Sequence, residues 1–168
     1  MGIITHLTNN KSQVERELKG AIEAALEAIG QQAESHAKQN ITKAGRVGDT
    51  GDLRNKTAHE VRPSEDAVYI GNPLFYAKYH EFGTGKYADG GSTGPGWWVY
   101  VEGGTSSDER HGKRYDEATA RKIVAILRSK GLDAHMTQGM KPIHFLRDAA
   151  QNHSAEYKAI AEAQLKKG

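Results

Sequence analysis

The chain contains no cysteine. That excludes disulfides, thiolate zinc sites and cysteine nucleophiles, so the fold has to hold without covalent staples. No apolar run approaches the roughly 20 residues that a membrane-spanning helix needs. The opening residues MGIITHLTNNKS also lack the basic-then-apolar layout of a signal peptide, which predicts synthesis in a cytoplasm. Charge of one sign is missing too: 23 Lys and Arg stand against 21 Asp and Glu, a formal net charge of +2. This is too small an excess to argue for a nucleic-acid binder, whose basic residues cluster. What remains is 168 residues, 37% hydrophobic and 26% charged. That suits one soluble domain, residues 1–168, with a real core.

Periodicity supplies the elements. Ser12-Gln13-Val14-Glu15 has the form of a capping box, and Val14, Leu18, Ile22, Ala25, Ile29, Ala33 and Ala37 then recur every three or four positions. The spacing predicts one helix running to about Ile41, roughly 45 Å long at 1.5 Å per residue. Such a helix exceeds the needs of a small domain, so its ends are expected to meet a neighbouring subunit. A loop over 45–52, a helical turn at 53–55 and a hairpin over 57–70, turning at Pro63-Ser64-Glu65-Asp66, follow. Residues 73–82 read as one or two helical turns stopped by Gly83, and 83–96 as a flexible glycine loop. Trp97 to Val101 reads as a strand, Asp116 as the cap of a helix closed by Gly131, and 132–137 as a return strand. A single amphipathic helix is expected from just after Pro142 to about Leu165. The class is α+β: a small antiparallel or mixed sheet packed by a long N-terminal helix and a C-terminal helix, with a β-α-β-like insertion.

Motifs for chemistry fall short one by one. His80-Glu81 lacks the second histidine of His-Glu-x-x-His, the fifth position being Thr84, and the other seven histidines show no ligand spacing. Gly85-Lys86 has neither the preceding glycine nor the following hydroxyl of a phosphate loop. Gly90-Gly91-Ser92-Thr93-Gly94 fits Gly-x-Ser-x-Gly literally, but sits in a loop before Pro95-Gly96 rather than between strand and helix. Residues 49–54 lack the spaced oxygens of a calcium loop. Neither catalytic residue, cofactor nor metal is expected. Trp97 and Trp98 point to opposite faces of a strand, which leaves open whether one meets a partner or both pack within the monomer.

Three segments occur in a telling order: Asp49-Thr50-Gly51-Asp52-Leu53-Arg54-Asn55, Tyr76-Ala77-Lys78-Tyr79-His80-Glu81-Phe82-Gly83-Thr84, and Lys141-Pro142-Ile143-His144-Phe145-Leu146-Arg147-Asp148-Ala149-Ala150. Together they resemble the tail-component family of tailed bacteriophages typified by phage HK97, with its TG-x-L-R, Y-A-x-Y-x-E-x-GT and P-F-[LM]-R-x-A segments behind an N-terminal helix. His144 departs from the last pattern, and the long link from Lys86 to Met140 makes 87–140 look like an insertion. The resemblance implies a non-catalytic virion protein of the neck or tail, made in the bacterial host cytoplasm. It would act in head-tail joining or tail completion as a homo-oligomeric ring, touching the head connector or stopper and the tail terminator or tail-tube proteins. Scattered Lys and Arg would then approach channel DNA without reading sequence. Candidate interface or structural residues are Thr50, Gly51, Leu53, Arg54, Tyr76, Tyr79, Glu81, Phe82, Gly83, Thr84, Trp97, Trp98, Pro142, Phe145 and Arg147. Tyr76, Tyr79 and Phe82 are expected to pin their helix to the sheet, and Glu81 to meet a partner or cap a turn. The alternatives are a small serine hydrolase using Ser92, a non-virion assembly factor, or a host-derived or toxin-like binding module.

Overall fold

The computed structural model describes residues 9–46, 50–91, 94, 96–102 and 113–167. The chain divides into two compact units, 1–73 with 146–168, and 74–145.

The first unit is organised by helix α1 (Lys11–Lys43), about 50 Å long at 1.5 Å per residue. Its start departs from the expected capping box. Asn10 occupies the cap position without a side-chain capping bond, and Asn9 Oδ1 accepts from the Lys11 N–H at 3.0 Å. Ser12 therefore lies inside the first turn. Glu15 pairs with Lys11 at 3.7 Å instead of returning to the serine. Full burial along the predicted stripe begins only at Ala25 and continues through Ala33, Ala37 and Ile41, with Gly30 and His36 on the same face. Every residue from 11 to 20 is exposed, including Val14 at 57% and Leu18 at 54%.

Three pieces pack on the buried half of α1. The first is a short helix, α2 (Asp52–Asn55). The second is an antiparallel hairpin of β1 (Ala58–Arg62) and β2 (Ala67–Gly71), in register from Ala58 opposite Gly71 to Arg62 opposite Ala67. The third is the C-terminal helix α6 (Ser154–Leu165). Gly30 lets the hairpin come close: a Cβ there would overlap the His59 ring and sit 2.8 Å from Val68 Cγ2. The helix bears the roughly 1 kcal/mol propensity cost of an interior glycine in exchange for that contact.

His59 ties β1 to α1 through Glu34 Oε2, 2.6 Å from its Nδ1, and Glu27 Oε1, 3.2 Å from its Nε2; Glu34 is also paired with Lys38. Burial disfavours the imidazolium, but the hydrogen bonds to Glu34 and Glu27 outweigh it and raise the His59 pKa above its ordinary 6.5. The stabilisation is thus fully present below about pH 6.5 and is lost as pH rises through the raised value. We predict that the melting-temperature difference between the parent and His59→Gln is larger at pH 5.5 than at pH 8.5; equal differences at both would refute the ion-pair reading.

In the second unit, α3 (Ala77–Phe82) is followed by the antiparallel pair β3 (Trp98–Val101) and β4 (Ala134–Thr137), linked through helix α4 (Glu117–Ser129). Val124, Leu127 and Ala134 form its core, with Val99, Val101, Ile123 and Met136 packed against them. The predicted cap is present: Asp116 Oδ1 accepts from the Thr119 N–H at 2.9 Å, and Oδ2 from its hydroxyl at 2.6 Å. Those bonds hold the Asp116 carboxyl below its ordinary pKa. Asp116→Ala is expected to lower the melting temperature of this unit by roughly 4–8 °C, measured by thermal unfolding.

The α+β expectation holds, with the strands arranged as two separate two-stranded sheets. The single C-terminal helix does not hold: α5 (Phe145–Gln151) ends before α6, and His153 between them adopts non-helical φ −122°, ψ 21°. The break places His153 and Tyr157 beside His36 of α1.

Candidate interaction surfaces

The first motif is mostly internal scaffolding. Gly51 takes φ +68° at the cap of α2, where a left-handed conformation favours glycine. Thr50 Oγ1 accepts from the Asp52 N–H at 3.3 Å. Leu53 is buried, and its carbonyl accepts from the Thr57 hydroxyl at 2.8 Å and from Asn72 Nδ2 at 2.7 Å. Arg54 is exposed, lining a shallow polar cleft with Lys38, Lys43, Gln39 and Thr42 of α1. Asp49 of this motif lies outside the described residues, as do Ser92 and Thr93 of the Gly-x-Ser-x-Gly match.

The second motif reverses one expectation and narrows another. Along α3 the buried residues are Ala77 and Glu81, whereas Tyr79 and Phe82 are 41% and 54% exposed. With Phe75 at 77%, they form a solvent-facing aromatic row at four- and three-residue spacing. Tyr76 is half-buried, its ring edge-on to Phe75. The exposed aromatics therefore do not pin the helix inward. Glu81, expected to meet a partner or cap a turn, is 4% exposed, which rules out the first, and it is held by polar contacts inside the fold.

The glycine-threonine segment is no open loop. Thr84 N–H donates to the Met140 carbonyl at 2.9 Å, Met140 N–H returns to Thr84 Oγ1 at 2.9 Å, and Lys86 N–H donates to the Gln138 carbonyl at 2.9 Å. Ile143 N–H donates to the His80 carbonyl at 2.8 Å. Gly83, at φ +71°, leaves room where a Cβ would sit 2.8 Å from the Met140 oxygen and from Pro142 Cδ. The second and third motifs, separated by more than fifty residues, are thus laced together backbone to backbone. His144 takes φ +47° just beyond, with Nε2 3.4 Å from Asp89 Oδ1. Phe145 is fully buried and Arg147 exposed, its Nε 3.9 Å from Asp148 Oδ1.

Both tryptophans are half-buried. Trp97 exchanges backbone hydrogen bonds with Tyr115 at 2.8 and 2.9 Å, and Trp98 carries the Arg114 guanidinium 4.5 Å above its ring. Among the described residues no helix is long and apolar enough to cross a membrane.

Two donor clusters escape sequence spacing altogether. His36, His153 and Glu156 meet between α1 and α6, and Glu102, Asp133 and His135 meet at the end of the β3–β4 pair. No periodic pattern links residues 117 positions apart, so only the fold reveals the first of them.

Residues 6–83 match the HK97-gp10-like family. Its description is "Bacteriophage HK97-gp10, putative tail-component". The match covers α1, α2, the hairpin and α3, ending at Gly83, and so contains the first motif and all but the last residue of the second. The resemblance drawn from the motifs stands over this span. No curated protein and no solved structure matches the chain. The family so described is a phage tail component, and the match spans a little less than half of the chain.

Proposed function

We propose that the protein acts at the phage neck or tail end, in head-tail joining or tail completion, as a homo-oligomeric ring without catalysis. Its neighbours would be the head connector or stopper on one side and the tail terminator or tail-tube proteins on the other. The observation that carries the ring reading is the exposed first third of α1, inside the matched segment, which presents Val14 and Leu18 to solvent. A closed ring needs a heterologous contact, one face of each subunit meeting a different face of the next, and a projecting helix end supplies one such face. The aromatic row Phe75, Tyr79 and Phe82 offers a second apolar surface.

Residues 87–140 read as an insertion into a compact family member. Support comes from the match ending at Gly83 and from the separate core that α4 makes with β3 and β4.

The test joins light scattering of the purified protein to electron microscopy of virions. A discrete multimer in solution and a ring of this polypeptide at the neck are expected. Absence of the polypeptide from mature particles would end the structural reading.

A further inference from the structure

We propose that His36, His153 and Glu156 form a binding site for a divalent transition-metal ion, best suited to zinc, that fastens the C-terminal helix to the long N-terminal helix. All three lie in the first unit: His36 on the buried face of α1, His153 in the break before α6, and Glu156 in the first turn of α6.

The donor spacing fits. Glu156 Oε2 is 3.4 Å from His36 Nε2 and 3.5 Å from His153 Nδ1. A tetrahedral ion with bonds of about 2.0–2.1 Å has ligand-to-ligand edges of about 3.3–3.4 Å. The carboxylate oxygen already stands near edge distance from both nitrogens, and all three donors lie within 4.8 Å of one another.

Hydrogen bonding sets the correct face of the buried histidine toward the ion. The Tyr157 hydroxyl donates to the Ala149 carbonyl at 2.6 Å, so its oxygen is free to accept from His36 Nδ1–H at 3.0 Å. That leaves the Nε2 lone pair facing Glu156, the outer-sphere arrangement that orients metal-bound imidazoles. The Gln32 amide lies 3.2 Å from His36 Nε2 and donates to Glu156 Oε1 at 2.7 Å. Binding would leave that second bond in place, with Oε2 given to the ion.

Two adjustments are needed: the Gln32 amide releases His36 Nε2, and the His153 ring turns. The His36 and His153 rings stack at 3.5 Å with a 24° interplanar angle. His153, whose side chain is 34% exposed, turns about its own torsions to aim Nδ1, while His36 stays fixed. Water completes the coordination from the solvent side of Glu156. A two-nitrogen, one-oxygen set favours zinc and its neighbours over calcium or magnesium, which take oxygen ligands.

The experiment uses the full chain freed of metal by a chelator and then titrated with zinc chloride, read by calorimetry and thermal unfolding. One ion per chain is expected, raising the melting temperature by roughly 5–10 °C at a hundredfold excess over Kd. His153→Gln and Glu156→Gln, both at part-exposed positions, should each weaken binding by about tenfold or more while melting near the parent temperature without metal. His135→Gln, in the other donor cluster, should bind like the parent. Cobalt substitution should give a tetrahedral visible spectrum that the first two variants lose. Absence of saturable zinc binding, or binding undiminished in both His153→Gln and Glu156→Gln, would overturn the proposal.

Discussion

Gly85→Ala should be among the most damaging single-methyl changes in this protein, lowering the stability of the second unit by about 2–5 kcal/mol. Gly85 sits at φ +60°, where a non-glycine residue costs roughly 1–2 kcal/mol. A Cβ there would also overlap the Gln138 carbonyl oxygen and the Trp98 indole, adding an overpacking cost of roughly 1–3 kcal/mol. Against the 5–15 kcal/mol of a typical domain, that is a large share. Trp97 and Trp98 are the only tryptophans, and both belong to this unit, so fluorescence during urea unfolding reports it directly. Gly90→Ala is the matched control, since a Cβ there meets nothing within 4 Å. Equal midpoints for the two variants would refute the close-approach account of the glycine-threonine segment.

Replacing Val14 and Leu18 together by aspartate should abolish assembly while leaving the subunit folded. Both side chains are more than half exposed, so the isolated chain loses little. If a neighbour covers them, each contributes about 1.5–3 kcal/mol of burial, and the pair together weaken association by about a hundredfold or more. Light scattering of the double variant should give the monomer mass with an unchanged helical signal, and complementation of a phage lacking the gene should fail. An undiminished multimer would locate the interface elsewhere, and the aromatic row of Phe75, Tyr79 and Phe82 would be the next surface to charge.

Local signals proved legible where the deciding contacts were local. The β1–β2 hairpin, the Asp116 cap and the stop at Gly83 each depend on residues a few positions apart. Competition defeated the capping box, because Lys11 claims Glu15 and Asn9 claims the first free N–H. The Asn152-His153 break carries neither glycine nor proline, so periodicity ran through it unchallenged. Composition marked 83–96 as mobile because glycine serves both flexibility and close approach. Only the distant partners, Gln138 to Pro142, decide between the two. The aromatic stripe of α3 was visible, but its direction was not: a helix face reads the same from sequence whether it looks into its own core or out toward another molecule.

The division of the chain also orders its synthesis. Helix α1 leaves the ribosome before α6, which covers part of it and is encoded about 110 residues after α1 ends. At about 5–20 residues per second, that face waits roughly 6–22 s for its cover. The residues between, 74–145, come out as one uninterrupted stretch. The nascent chain thus completes residues 74–145 before α6 can cover α1.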